Sequence, residues 1–446
     1  MSSETSYGSS LLGDPLEPLI KDISWSVGPP LKYAMKGPAG GALHGKLFAT
    51  CGTHYPVGPY FKYRQYYKKK KFGNGFFEVV DVDDEVLKAQ IESEMRIIGP
   101  AMISDRAWLY DPAADRYEDL PNAPAALNWP DGLTVGDDFY LMGGMVFDKQ
   151  KWDDFFAGRN TEQGSEMSRQ VWKLTKESGA WNWVKMPPMP YFMASPMLAA
   201  VGRTIVAAGG AVAFDKDNPL TFKQRSPAVG VNSVKALDTD NLEKGWYDLP
   251  PIPGGPRSVG AIAAVGRKVY LFGGFYSFSW LNYADKREYY RDAFVFDMDT
   301  WKWRKLPDFP FKGYGWKAVV YGGREIVVTA GIRISNIDFD RSSYGEKLDS
   351  GNFDVVIFDT ELESYKTLPS RVPPFPLNDS ARKQIAGWFE RIPPHKWWAH
   401  YDWARGIYRQ TPKFALLGET IYMWGGDVLG TPVNASNELM VGKITK

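Results

Sequence analysis

Apolar positions along this chain fall into short runs that end in glycine. Val269-Tyr270-Leu271-Phe272 leads into Gly273-Gly274, and the same unit recurs as Phe139–Gly144, Ile205–Gly210 and Ile421–Gly426. Two looser copies are Leu47–Gly52, with Cys51 before its glycine, and Ile326–Gly331, with Ala330 there. A short continuous apolar run closed by turn residues predicts a buried strand. Around the Val269 copy lie three further β runs: Ser258–Val265 before it, then Ala293–Phe296, then Trp301–Leu306. Turn chemistry separates them, namely Gly266-Arg267-Lys268 on one side and Asp297–Thr300 on the other. The unit is four short strands, here named a, b, c and d, with b as the glycine-ended one.

The c–d part carries its own pattern. An aromatic in strand d precedes an apolar residue and a proline at fixed offsets: Tyr117 with Leu120-Pro121, Trp183 with Met186-Pro187, Trp246 with Leu249-Pro250, Trp303 with Leu306-Pro307 and Tyr365 with Leu368-Pro369. Strands c end in Asp111, Asp238, Asp297 and Asp359. The last unit has strands a, b and c (Lys413–Leu417, Ile421–Gly426, Glu438–Ile444) and no d after them. A matching d stands at the other end of the chain, where Trp25 precedes Pro29 at the same offset. The N-terminal strand is therefore expected to close the last unit and remove its open edge.

Glycine pairs after apolar strands, with an aromatic and a proline following, resemble the kelch repeat over about residues 22–446. That resemblance implies a β-propeller of four-stranded blades around a channel. The expected fold class is all-β: a six-bladed kelch β-propeller, its last blade closed by the N-terminal strand, with long loops on one face. Residues 1–21 are expected as a flexible N-terminal segment and 22–446 as one propeller. The extra length sits in the b–c loops (53–105, 145–170, 211–232, 275–291, 332–353) and in one d–a loop (370–411). These all belong to the same face, and long loops on a rigid scaffold commonly carry function. Within the first insert, Asp81–Ile91 reads as an acid-started helix, and Asp83-Asp84-Glu85 as its N-terminus rather than a metal site. Lys68–Lys71 reads as a solvated loop flank.

Composition narrows the partners. Lys+Arg of 53 against Asp+Glu of 52 gives a net charge of +1, so nothing global draws the protein to nucleic acid or to an acidic membrane. The single cysteine allows no internal disulfide, and Cys51 reads as a buried, inert thiol in its strand. Met1–Asp14 lacks a signal pattern, and no apolar run is long enough for a membrane span. A soluble, cytoplasmic protein is expected. The 17 Trp and 24 Tyr exceed the needs of a core and suit surfaces that bind rings.

Strand a should line the channel. Counting back a fixed distance from each glycine pair locates its lead-in residues: Met35, Leu127, Met193, Arg257, Tyr314 and Arg409, followed by Lys36, Asn128, Ala194, Ser258, Gly315 and Gln410. Just past strand b come His54, Met145, Ala211, Tyr276, Arg333 and Asp427. The predicted mouth is cationic and aromatic: Lys36, Arg257, Arg333, Arg409, His54, Tyr276, Tyr314 and Trp316, with Trp129 and the Trp397–Trp403 run on nearby loops. Fixed rings with a few forked donors suit a small polar or carbohydrate-like ligand. The expected ligand-binding set is Lys36, Asn128, Trp129, Tyr276, Tyr314, Trp316, Arg333 and Arg409. His54, His395 and His400 all map to this face, where they could serve in acid–base work.

Gly254-Gly255-Pro256-Arg257, followed by strands a and b and set beside a long insert after a b strand, is also similar to kelch-type sialate mutarotases and epimerases. That likeness implies a cofactor-independent, non-redox enzyme of isomerase- or lyase-like chemistry. It makes Arg257 an anion-binding residue, with His54, Asp427 and His400 as candidates for proton transfer and no metal. Two alternatives stand beside it. One is a protein-interaction scaffold without catalysis; the other is a metal-dependent enzyme using His54, His395 and His400.

Overall fold

A computed structural model of the chain describes residues 16–56, 67–69, 77–79, 83–89, 102–147, 165–213, 228–277, 287–334, 348–349, 352–373, 409–428 and 437–446. Six four-stranded antiparallel sheets form the blades of a β-propeller. In blade one, strands a to d are Ala39–Leu43, Lys46–Thr50, Ala107–Asp111 and Arg116–Leu120. Blades two to five repeat this order from strands a at Asp131–Val135, Met197–Val201, Ala261–Val265 and Lys317–Tyr321. Blade six joins Lys413–Leu417, Thr420–Trp424 and Met440–Thr445 to Asp22–Val27, which pairs with the last of them from Asp22↔Thr445 to Val27↔Met440. Strand a of each blade touches strand a of the next all the way round. Among the described residues no helix is long and apolar enough to cross a membrane.

The core is six wedges, each between two neighbouring blades. Side chains alternate across a strand, so consecutive residues of strand b face opposite neighbours. Leu47 and Ala49 pack toward blade six beside Trp108 and Trp424, while Phe48 packs toward blade two against Phe139, at a ring distance of 4.5 Å. Burial on both faces is why strand b is an unbroken apolar run.

Strand b ends in two successive residues with left-handed backbone: φ is 66° and 84° at Gly143 and Gly144, and 59° and 75° at Cys51 and Gly52. A Cβ on Gly331 would lie 2.4 Å from the Tyr314 carbonyl oxygen, and one on Gly52 would lie 2.7 Å from that of Lys36. The second position must therefore be glycine. The first tolerates Cys51 and Ala330, at φ 59° and 64°. Cys51 is a hinge residue, one position beyond its strand, and burial pushes its thiol up to about 12, as an inert group requires.

Beyond the hinge each blade continues as a smaller upper sheet. In blade one it is Tyr33–Lys36, Thr53–Pro56 and Met102–Ile103; blades two, three and five have equivalent three-stranded sheets, and blade six a two-stranded one. In blade four, strands b and c run through both tiers as Lys268–Ser277 and Arg287–Asp297, with a register shift between Phe272 and Gly274. The long b–c connections all grow from this upper tier. The opposite face carries tight turns. There the c-strand aspartates fold the chain back: Asp297 Oδ1 accepts N–H bonds from Asp299 and Thr300, and Asp359 Oδ1 from Glu361 and Leu362.

The aromatic and proline of strand d are one device. Trp183 Nε1 donates to the Pro121 carbonyl of the preceding blade at 2.9 Å, Trp246 to Pro187 at 3.0 Å, Trp303 to Pro250 at 2.8 Å, and the Tyr365 hydroxyl to Pro307 at 2.8 Å. The pattern changes only around blade six. Tyr117 accepts the Lys32 N–H at 3.0 Å, and the buried Trp25 Nε1 has no partner.

Leu19 and Ile20, just before the first strand, are held by blade five. The buried Glu325 carboxylate of blade five accepts the Leu19 and Ile20 N–H groups at 2.9 Å each, and Ile20 packs into the wedge between blades five and six. A carboxylate far along the chain, invisible to local patterning, captures these amides. In the first insert, residues 85–89 form a helical turn whose Asp84 Oδ1 accepts the Val86 and Leu87 N–H groups, so the acidic cluster is a helix cap.

Trp303→Phe removes one interblade hydrogen bond and should lower stability by about 1 kcal/mol in urea unfolding. Removal of residues 1–30 strips strand d from blade six and should abolish cooperative thermal unfolding. A truncated protein that melts like the full chain would contradict this closure.

Candidate functional site

The mouth lies on the loop-bearing face, where the upper tier meets the axis. The sequence register places its residues correctly in five blades: Met35 pairs with His54, Leu127 with Val146, Met193 with Val212, Ser258 with Phe275 and Arg409 with Val428. Blade five is displaced by one. Its a–b turn has three residues, Gly322-Gly323-Arg324, where the other turns have two, so Tyr314 rather than Gly315 pairs with Ile332 next to the hinge. The same slip misplaced Trp316. Its side chain is fully buried, donates from Nε1 to the Ile332 carbonyl at 3.1 Å and packs on Phe309 at 4.5 Å. It packs in the core and also forms part of the wall of the axial cavity described below.

The structure brings three of the expected residues together across blades one and two. Lys36 Nζ lies 5.6 Å from the Trp129 ring, and Asn128, 1% exposed, has a buried Oδ1 without a hydrogen-bond partner beside them. Around the other side, Tyr314 stacks near Phe275 and Tyr289 at 4.5 and 5.6 Å. Tyr276 is half-buried against Gly230.

Several expected residues are already committed. Arg257 is fully buried; its guanidinium forks onto Asp292 at 2.5 and 3.0 Å and stacks on Tyr290 at 4.2 Å. It holds a protein carboxylate where a free anion was expected. Arg333 pairs with Asp354 at 3.1 Å and lies over Phe311. His54 is 1% exposed and stacked on Tyr33 at 5.2 Å; burial pulls its imidazole down to about 4, so it is neutral at physiological pH. The backbones of Arg409 and Asp427 lie in the upper sheet of blade six, and their side chains, like all of His395 and His400, lie outside the described residues. Among the described residues no group of three His, Cys, Asp or Glu could hold a metal.

At the tier junction one residue of each blade has left-handed backbone: Gly37, Trp129, Ser195, Val259, Gly315 and Thr411, with φ between 48° and 75°. Four are not glycine, at a cost of roughly 1 kcal/mol or more each. The ring is tied blade to blade, with Gly315 N–H donating to the Val259 carbonyl at 2.7 Å and Thr411 N–H to that of Gly315 at 2.8 Å. It lines a cavity of about 20 Å3 on the axis, which has room for about one water molecule.

The floor of that cavity is charged, a feature the sequence reading missed. Asp131, Lys317 and Lys413 open strands a of blades two, five and six and converge: Lys413 Nζ lies 2.7 Å from Asp131 Oδ1, and Lys317 Nζ 2.9 Å from Oδ2. Burial would raise the Asp131 carboxyl, but the two ammonium groups outweigh it and hold it at about 2. Burial, aided by Lys317, pulls Lys413 down to about 8 against the attraction of Asp131. A signal existed, because these three residues follow the lead-in positions at the same height of the register.

Asp131→Asn leaves the buried Lys413 ammonium beside that of half-buried Lys317 with no carboxylate between them and should cost about 3 kcal/mol, whereas Lys413→Met keeps the Lys317–Asp131 pair and should cost far less. The linkage has a sign. Asp131, depressed when folded, stabilises above its unfolded pKa near 3.8, and that contribution falls away as pH drops toward 2. Lys413, also depressed, adds stability as pH rises from 8 toward 10.5. Urea midpoints across pH, wild type against each variant, test both.

The family model of the Kelch motif matches residues 256–310, which span blade four with its lead-in. No curated protein matches the chain.

Proposed function

We propose that this six-bladed kelch-repeat β-propeller is a binding scaffold that engages a protein partner through its loop-bearing face. One observation carries the reading. Every blade is built in two tiers, and the upper tier roots the long b–c connections on rigid sheet at one face while the other face keeps tight turns. Variable chain held on a fixed frame is how scaffolds present a recognition surface. The chemistry of the mouth supports binding over catalysis: Arg257 and Arg333 are engaged by aspartates, and His54 is buried and neutral. The axial cavity is too small for a metabolite.

A second reading has its own support. The unpartnered Asn128 Oδ1, with Lys36 and Trp129 beside it, is a polar acceptor lacking a donor, as in a site for a small polar or carbohydrate-like ligand. On this reading Asp427 and His400 are the remaining candidates for isomerase-like proton transfer.

A photo-crosslinking residue at Tyr276, on the loop-bearing face, should yield a discrete protein adduct in the native host extract. The same residue at Trp301, in a turn of the opposite face, should not. Equal labelling from both faces would sink the scaffold reading. In parallel, a melting-temperature screen with sugars and sugar acids tests the second reading, which requires a stabilising ligand that Asn128→Leu no longer responds to.

A further inference from the structure

We propose that the axial cavity above Asp131, Lys317 and Lys413 is a binding site for a monovalent anion of halide size. The argument is one of charge and donors left over. Two ammonium groups face one carboxylate, so the cluster carries a surplus positive charge within the channel. Lys413 is 5% exposed, and among the described residues its ammonium meets Asp131 and no other acceptor; the half-buried Lys317 likewise meets only Asp131 there. Each ammonium has three N–H donors, so among the described residues two on each lack an acceptor, and those of Lys413 are buried. A buried donor without an acceptor, and still more a buried charge without its counter-charge, is costly.

The walls fit the same ligand. Thr411 lines the cavity, and its buried hydroxyl has no hydrogen-bond partner. Pro38, Pro130 and Pro196 line the cavity and offer no N–H, so the side-chain donors nearest an anion are the lysines and the hydroxyls of Thr411 and Ser195. The cavity admits one water-sized sphere, which suits chloride or bromide and is tight for a carboxylate or phosphate. Water could accept the N–H bonds but could not supply the charge. Two ammonium groups on the floor repel any metal cation.

Crystals soaked in sodium bromide should show an anomalous peak in contact with Lys317 Nζ and Lys413 Nζ. In solution, the melting temperature of the whole chain should rise saturably with sodium chloride relative to sodium gluconate at equal ionic strength. Lys413→Met, which leaves a neutral Lys317–Asp131 pair, should lose that rise, and Thr411→Val should weaken it while keeping a β-branched residue at the turn. Absence of a bromide peak, or a chloride response that survives in Lys413→Met, overturns the proposal. A response to formate as strong as that to chloride overturns its size limit.

Discussion

One backbone requirement governs this molecule: the chain must turn left-handed twice where strand b ends. At Gly52, Gly274 and Gly331 the second residue of that turn sits so close to the carbonyl before strand a that a Cβ would overlap it. All six blades meet the requirement at the same height; five split there into a lower sheet that packs and an upper sheet that carries loops, and in blade four strands b and c pass through with a register shift. The position of the site follows. Whatever this protein binds on its loop-bearing face meets residues set by the hinge, and the axis narrows where the hinge and the left-handed ring come together.

Stability comes from repetition rather than from one dominant centre. Each wedge belongs to two blades, so no blade buries its apolar faces alone. The strand d aromatics add a directional tie at the outside, and the ring of left-handed residues adds one near the axis. Charge is used sparingly in between. Among the described residues Asp131 is the one carboxylate lining the cavity, and it balances one of the two lysines it faces.

The fold was legible because its signals repeat. Six glycine hinges, five aromatic–proline pairs and the displaced Trp25–Pro29 fix blade number, register and closure, and each copy checks the others. The site was less legible, for reasons that can be named. Counting failed in blade five through one added turn residue, which put Tyr314 at the position expected of Gly315, Gly315 in the left-handed ring and Trp316 one step further in, packed on Phe309. Arg257 looked like a free anion binder because Asp292, on strand c, is remote in sequence and reaches it only once the sheet forms. The Asp131–Lys317–Lys413 cluster joins three blades, and no local pattern announces it. Only the register could have done so, had the charged residues opening apolar strands been read across blades. The same limit hid the hold of Glu325 on Leu19 and Ile20.

The seam in blade six has a mechanical side. Asp22 lies opposite Thr445 and Val27 opposite Met440, so the chain enters the first strand and leaves the last one at the same end of the pair. Tension applied between them would open the ladder one rung at a time, as a zipper opens, instead of loading all its rungs together in shear. The ring that resists heat as a closed circle is weakest to a pull on its own two ends. Load carried through any other pair of blades would meet covalent chain.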